Sequence, residues 1–554
     1  MEFLRPLRTS DGALNANEQW KLERHPLEVA AAIRSRYANE GPDAIASVPG
    51  EMERLKWVGL YPQRQEGDAF MMRLKVPGGR LTAAQARRVG EIVDRFAVGP
   101  DDHARWGNRY CDITTRQTIQ LHWLAIADVP VIWDLLDEVG MTSLQACGDS
   151  ARNVVGCPVA GVDRSEAFDA TATLRAIDAF FTGNREYANL PRKFKMSVTG
   201  CIDDCAQAEI NDIGLWPARL EDGTVGFNLL VGGGLSDGPR MASDIDVFVA
   251  QEEAVEATRA VAQTFGELGN RENRGMARMR YLVEELGPER FRAELARRAG
   301  FALRPAGTAL TRGYRGDHVG VHPQHEEGLH YVGCAVPVGR LTGTELVEVA
   351  RLAETYGDGG VRLTTDQNFV LTGVGEGALG DLLGQPLLER YSPTPGPFTR
   401  GAVACTGSEF CRYAIVETKE RTVEWAAELD RRYAATVGTP GSATAPDAII
   451  RLHFSGCSAS CAQPQIADIG FRGETAHRGE EIVEAVDISL GGSLGTDAAF
   501  GKWTVGALPV DDVPTLLGDL IEGYVAGRTT TERFHEWIRR QGVEVTSPTA
   551  PVPT

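Results

Sequence analysis

The chain contains itself twice, and that repeat constrains its fold more than any other feature. "WVGLYPQRQEGDAFMMRLKVPGGRLT" (57–82) returns as "HVGVHPQHEEGLHYVGCAVPVGRLT" (318–342), and "DITTRQTIQLHWL" (112–124) returns as "RLTTDQNFVLTGV" (362–374). "KMSVTGCIDDCAQAEINDIG" (195–214) is echoed by "RLHFSGCSASCAQPQIADIG" (451–470), and "NLLVGGGLSDG" (228–238) by "DISLGGSLGTD" (487–497). The order is kept at offsets of about 250 to 261, the mark of a duplication. Within each copy, β-branched runs such as "TIQLHWL" and "NFVLTGV" read as strands. "TAAQARRVGEIVDRFA" (82–97) and "TGTELVEVARLAETYG" (342–357) read as amphipathic helices opened by a Thr N-cap.

The expected fold is therefore α+β, with two duplicated mixed α/β halves related by a pseudo-twofold axis. We read an N-terminal extension over 1–50, a first half over 51–240 and a mostly helical connector over 241–309. A second half follows over 310–510, then a C-terminal helix and disordered tail over 511–554. With 554 residues the chain exceeds one ordinary core. The cleft between two such halves suits a large cofactor.

Charge and cysteine usage narrow the function classes. The net charge of −19 argues against a nucleic-acid binder. No run of about 18 apolar residues predicts a membrane span, and "MEFLRPLRTSDGALNANEQW" lacks the apolar stretch of a signal peptide. Ten cysteines without such a signal point to a reducing cytoplasm, where cysteine clusters are metal or redox sites more often than disulfides.

Four of those cysteines fall in two tight groups. "ACTGSEFCRYA" spaces Cys405 and Cys411 as C-x5-C, and "SGCSASCAQ" spaces Cys457 and Cys461 as C-x3-C. Four thiolates supply the ligand set of a [4Fe–4S] cluster, and the small flanking residues leave backbone N–H groups free for its sulfurs. Zinc and unligated buried cysteine are the alternatives, with the C-x5-C spacing counting against zinc. The first half carries Cys147, Cys157, Cys201 and Cys205. Cys201 and Cys205 stand where the second half has Cys457 and Cys461, but Cys147 and Cys157 are spaced differently from Cys405 and Cys411, and the four read as inherited buried cysteines and not as a second cluster.

Basic residues mark the first half. They are Arg116 in "TTRQ", Arg152 in "SARNVVG", and Arg192, Lys193 and Lys195 in "LPRKFK". The whole chain has only 7 Lys beside 50 Arg, so two in one hexapeptide stand out. In an expected strand, Lys193 and Lys195 share a face, where two ammonium groups repel unless an anion lies between them. The position equivalent to Arg116 is Asp366, so only one half is expected to bind the anion.

"CTGSEFCRYAIVETK", "SGCSASCAQPQIADIGF", "TTRQ", "ARNVVGCPVAGVD", "LPRKFK" and "INDIGLWPA" together resemble the ferredoxin-dependent assimilatory nitrite and sulfite reductases, over about residues 50–510. The resemblance implies a sirohaem abutting a [4Fe–4S] cluster at the interface of the halves. By motif position Cys405, Cys411, Cys457 and Cys461 hold the cluster, and Cys461 is the bridge to the sirohaem iron. Arg116, Arg152, Lys193 and Lys195 match the family's basic residues over the distal face. The implied reaction is six-electron reduction of nitrite to ammonium, with sulfite to sulfide as the alternative. A cluster-only electron carrier and a structural zinc protein are more distant readings.

No flavin or nicotinamide domain is evident, and "VGGGLSDG" (231–238) does not fit a dinucleotide fingerprint. Electrons are thus expected from reduced ferredoxin or a similar acidic one-electron carrier, docking on a basic patch. A monomer is expected, since duplication already supplies a symmetric pair of halves.

Substrate signals are mixed. "INDIGLWPARLEDGTVGFNLLVGG" and "CTGSEFCRYAIVETK" look nitrite-type, whereas Lys195 stands where the plant and cyanobacterial nitrite enzymes have Asn and the sulfite enzymes have Lys. Tyr61 and Cys157 resemble positions joined by a side-chain bond in a mycobacterial relative.

Overall fold

The computed structural model describes residues 4, 14–311, 316–438, 449–495 and 497–543. The expected tail, "SPTAPVPT" (547–554), lies outside the described residues. Among the described residues four sheets organise the fold, two built mainly from each copy.

The two helices expected at the repeats are present as Ala83–Phe96 and Gly343–Tyr356. Each opens with a capping box, Thr82 with Gln85 and Thr342 with Glu345, which satisfies otherwise orphaned N–H groups. The helices pack on each other at Gly90 and Gly343. A Cβ at Gly90 would lie 2.6 Å from the Gly343 carbonyl, and one at Gly343 would lie 2.5 Å from the Gly90 carbonyl. Only glycine allows backbones so close. Val89 and Ile92 of one helix and Val349 and Leu352 of the other enter the same buried core, beside Leu121 and Leu371. Burying each such side chain contributes roughly 1.5–3 kcal/mol.

The sheets beneath these helices are interlocked. Leu60–Pro62, Phe70–Arg73, Ile119–Leu124 and Gly107–Ile113 form one sheet, completed at its edge by Arg340–Thr342 of the second copy. Gly320–Pro323, Leu329–Cys334, Phe369–Gly375 and Gly360–Leu363 form its counterpart, completed by Arg80–Thr82 of the first copy. Each half thus closes an edge of the other's sheet, which removes two exposed strand edges.

Two further sheets flank this centre, each with its own core. In the first copy Met196–Val198 pairs parallel with Ile213–Arg219, followed by Val225–Val231 and Ser243–Val249. In the second, Ala402–Ala404 and Leu452–Ser455 pair parallel, followed by Ile469–Arg478, Glu481–Leu490 and Lys502–Pro509. The segment 241–309 differs from the expected connector. It holds the helices Ala254–Leu268 and Met279–Ala296, but it also supplies the strands Ser243–Val249 and Thr308–Ala309 to the first copy's sheet. Alternation in "SDIDVFV" is the strand signal there, with Ile245, Val247 and Val249 buried.

Candidate active site

The parallel strand pairs end in the cysteine loops. Cys405 follows Ala402–Ala404, and Cys457 follows Leu452–Ser455. Backbone N–H groups of Gly407 and Gly456 donate to Cys405 Sγ at 3.4 and 3.2 Å. The 405–411 loop rests on the first half. Phe410 stacks on His122 with ring centroids 4.0 Å apart, and the Arg64 backbone N–H donates to the Phe410 carbonyl at 2.8 Å. Beneath it Arg340, fully buried, pairs with Asp112 at 2.8 Å and Glu409 at 2.7 Å.

Cys405, Cys411, Cys457 and Cys461 differ from the other six cysteines. Those six are buried, whereas Cys461 is exposed and the other three are half-buried. Cys405, Cys411 and Cys457 all lie within electrostatic reach of Cys461. Burial, then Cys461, pushes the Cys405 thiol up to about 12, and burial pushes Cys457 up to about 11. Thiols held this high become thiolates when a metal supplies positive charge, so the donor set fits an iron–sulfur cluster.

Opposite stand the cations. Arg116 reaches Asn211 Oδ1 at 2.8 Å and the Asn153 carbonyl at 2.6 Å, and Arg152 Nε donates to the Gly148 carbonyl at 2.9 Å. Lys193 and Lys195 are half-buried on either side of Phe194, which is buried in the first copy's core. The strand expected there from the sequence is absent at these two lysines. Phe194 makes only an isolated bridge to Ala151, and the strand begins at Met196. The alternation survives because Phe194 anchors one side. Among the described residues no partner accepts a hydrogen bond from either ammonium.

The cations depress one another. Burial, then Arg152, pushes Arg116 down to about 9. Burial, then Arg278 and Arg192, pushes Lys193 down to about 7, and Cys461 pulls it the other way. Burial, then Lys193 and Arg116, holds Lys195 well below the ordinary lysine range. Crowded, desolvated cations near Cys461 are stabilised by a bound anion.

Sequence reasoning missed two members of this set, Arg73 and Arg278. Arg73 Nη1 donates to Cys147 Sγ at 3.0 Å and its Nη2 to Gln120 Oε1 at 2.9 Å, and it too lies within reach of Cys461. Its counterpart in the second copy is Gly333, the same kind of asymmetry as Arg116 against Asp366. Arg278 pairs with Asp212 at 3.2 Å and lies outside the repeats, where no such signal exists.

Tyr61 also has a partner other than the expected one. It lies against Cys147, which with burial raises its phenol above the ordinary range, and against the Arg73 guanidinium at 5.8 Å. Cys157 instead packs with Cys201 and Cys205.

A duplicated fold with four loop cysteines, facing two ammoniums that donate no hydrogen bond among the described residues, has the features of an iron–sulfur redox protein. The family model described as nitrite and sulphite reductase 4Fe-4S domain matches residues 147–303 and 396–547, and the nitrite/sulfite reductase ferredoxin-like half domain matches 61–139 and 322–387. The chain belongs to the nitrite and sulphite reductase family.

It is 42% identical over 549 residues to the assimilatory ferredoxin-dependent nitrite reductase of Haloferax mediterranei, covering 95% of this chain and 91% of that protein. It is 40% identical over 516 residues to the ferredoxin–nitrite reductase of Synechococcus elongatus, covering 92% and 96%. The solved structure of the Mycobacterium tuberculosis NirA protein superposes with a TM-score of 0.87 at 34% identity, covering 95% of this chain and 96% of that one. Among the described residues no helix is long and apolar enough to cross a membrane.

Proposed function

We propose that this protein reduces nitrite to ammonium, taking six electrons and eight protons per nitrite and releasing two waters. The observation that carries oxyanion reduction is the pair of ammoniums without a hydrogen-bond acceptor, Lys193 and Lys195, crowded with Arg116 and Arg152 near Cys461. The relatives named as ferredoxin-dependent nitrite reductases support the choice of nitrite and of reduced ferredoxin as the one-electron donor. Ten free thiols suit a reducing cytoplasm.

In this reading Cys405, Cys411, Cys457 and Cys461 would hold the [4Fe–4S] cluster, and Cys461 would also be a ligand of the sirohaem. When bound, the cofactor pair would supply single electrons and a Lewis-acidic iron. The chain supplies the rest. Arg116 and Arg152 stay charged and clamp the oxyanion. Lys193, near neutrality in its pKa, can donate a proton to a departing oxygen and be recharged from solvent. Thr115, whose hydroxyl donates to the Cys461 carbonyl at 2.9 Å, fixes the loop that carries the bridging sulfur.

Sulfite remains the second reading, favoured by Lys195, because the more highly charged anion gains more from an added ammonium. Measuring kcat/KM for both anions with a chemically reduced low-potential donor decides. Preference for nitrite supports the proposal, and preference for sulfite replaces it.

A further inference from the structure

The first half carries a pseudo-twofold image of the cysteine cradle, and hydrogen bonds reveal the equivalence that spacing hides. Gln117 donates to the Gly156 carbonyl and accepts from the Gly156 N–H, both at 2.9 Å. Gln367 does the same with Ala404, again at 2.9 Å for both. Gly156 and Ala404 are therefore equivalent, and so are the residues after them, Cys157 and Cys405. The Thr115 hydroxyl donates to the Cys461 carbonyl and the Thr365 hydroxyl to the Cys205 carbonyl, each at 2.9 Å. Cys201 and Cys205 thus correspond to Cys457 and Cys461.

The fourth position has changed. The loop after Cys157 has no counterpart of Cys411, and His318, from the start of the second half, reaches in instead. Its Nε2 lies 3.7 Å from Cys157 Sγ. The donor atoms of Cys157, Cys201, Cys205 and His318 all lie within 4.8 Å of one another, and none of the four residues is more than 7% exposed.

We propose that Cys157, Cys201, Cys205 and His318 bind a structural zinc ion that fastens the first half to the second. Three cysteines and one histidine are a common ligand set of closed, four-coordinate zinc sites. Zn–S near 2.3 Å and Zn–N near 2.0 Å at a tetrahedral angle put sulfur and nitrogen about 3.5 Å apart, close to the 3.7 Å found. A cubane cluster instead spreads its ligand sulfurs around a larger body. Among the described residues, this is the only cysteine group gathered so tightly.

The outer shell agrees. His318 Nδ1 lies 3.4 Å from the Tyr331 hydroxyl, which orients the ring with Nε2 inward. His318 has a left-handed φ of 60°, and its carbonyl runs so close to Gly333 that a Cβ there would lie 1.8 Å away. Strain of that kind persists where surroundings hold a residue to a task. Arg362 donates to the carbonyls of Pro158 and Ala160 at 3.0 and 2.9 Å, and Arg80 also donates to Ala160. Neither forms an ion pair within the described residues, and both feel the charge of Cys157. Three thiolates on one zinc ion carry a net negative charge, which the field of these two arginines stabilises.

Metal analysis of the holoprotein, purified from zinc-supplemented cells, tests this. The expected result is about one zinc per chain beside the iron, with zinc-edge X-ray absorption showing three sulfurs and one nitrogen. Cys201→Ser and His318→Ala are expected to lose the zinc and lower the midpoint of thermal unfolding while retaining iron and sirohaem. Should both variants fail to accumulate, zinc released from wild-type protein by a mercurial gives the count directly. Less than about 0.1 zinc per chain, zinc retained by both variants, or extra iron in its place overturns the proposal.

Discussion

Gln207 and Gln463, the same position in the two copies, exchange amide hydrogen bonds. Gln207 Nε2 donates to Gln463 Oε1 at 3.0 Å, and Gln463 Nε2 donates back to Gln207 Oε1. Both residues are buried and both have left-handed backbones, at φ 56° and 62°. The pseudo-twofold axis passes between them, two residues beyond Cys205 on one side and Cys461 on the other. The loops that carry Cys205 and Cys461 are thus tied to each other.

Replacing Cys461, the proposed bridge, tests the cradle assignment. Cys461→Ser is expected to abolish nitrite reduction, with loss of the spectroscopic coupling between cluster and sirohaem seen by electron paramagnetic resonance. Full activity in this variant excludes Cys461 as the bridge.

Lys195→Asn tests the selectivity of the cation set. A hydrogen bond to a charged group contributes about 1.5–3 kcal/mol, so sulfite kcat/KM is expected to fall roughly 10- to 150-fold, and nitrite kcat/KM less. Equal losses for the two anions remove any selective role for this ammonium.

Arg340 sits under the 405–411 loop with two carboxylate partners. Arg340→Met leaves Asp112 and Glu409 without their guanidinium, and breaking a buried pair in this way costs about 3–5 kcal/mol. Thermal unfolding and iron content are expected to fall together. Adding Asp112→Asn should restore part of the midpoint, and no recovery argues that packing against Trp106 and Tyr110 matters more.

His535 anchors the helix Phe534–Arg540 between two carboxylates, with Nδ1 3.1 Å from Asp468 and Nε2 3.1 Å from Asp497. Burial lowers the imidazole pKa, but the two carboxylates outweigh it and raise it above its ordinary value. That contribution is fully present below the unfolded histidine pKa and is lost as pH rises through the folded one. Asp468 and Asp497 are held low by His535 despite burial, so their contribution is lost as pH falls through their folded values. Amide exchange in this helix is expected to be slowest at mildly acidic pH and to quicken toward alkaline pH beyond the intrinsic rate. His535→Gln should flatten that dependence.

Much of this was legible one residue at a time. Thr82 and Thr342 announced their helices because a cap needs only a hydroxyl and the three N–H groups that follow. The grouping of Cys405 with Cys411 and of Cys457 with Cys461 was legible because each pair shares one loop. The pairing of Lys193 with Lys195 was right for the wrong element, since Phe194 alone sets the alternation. Tyr61 was matched to Cys157 and found beside Cys147, because nothing local distinguishes two cysteines ten residues apart. Arg73 could have been found by extending the Arg116 comparison, where one copy keeps a cation and the other does not.

The sequence by itself determined the duplication, the caps, the loop cysteines and the one-sided charge, all of which rest on patterns spanning a few residues or on direct repetition. Only the tertiary structure decided that each half borrows an edge strand from the other. It also decided that Arg278 joins the cations and that His318 completes a site begun by Cys157. The exchanged strands and the His318 contact join distant segments across the pseudo-twofold interface, and Arg278 comes from a segment outside the repeats that packs into the first copy's core. Their geometry is set by how the two halves bury their shared core, and no local stretch of chain encodes that.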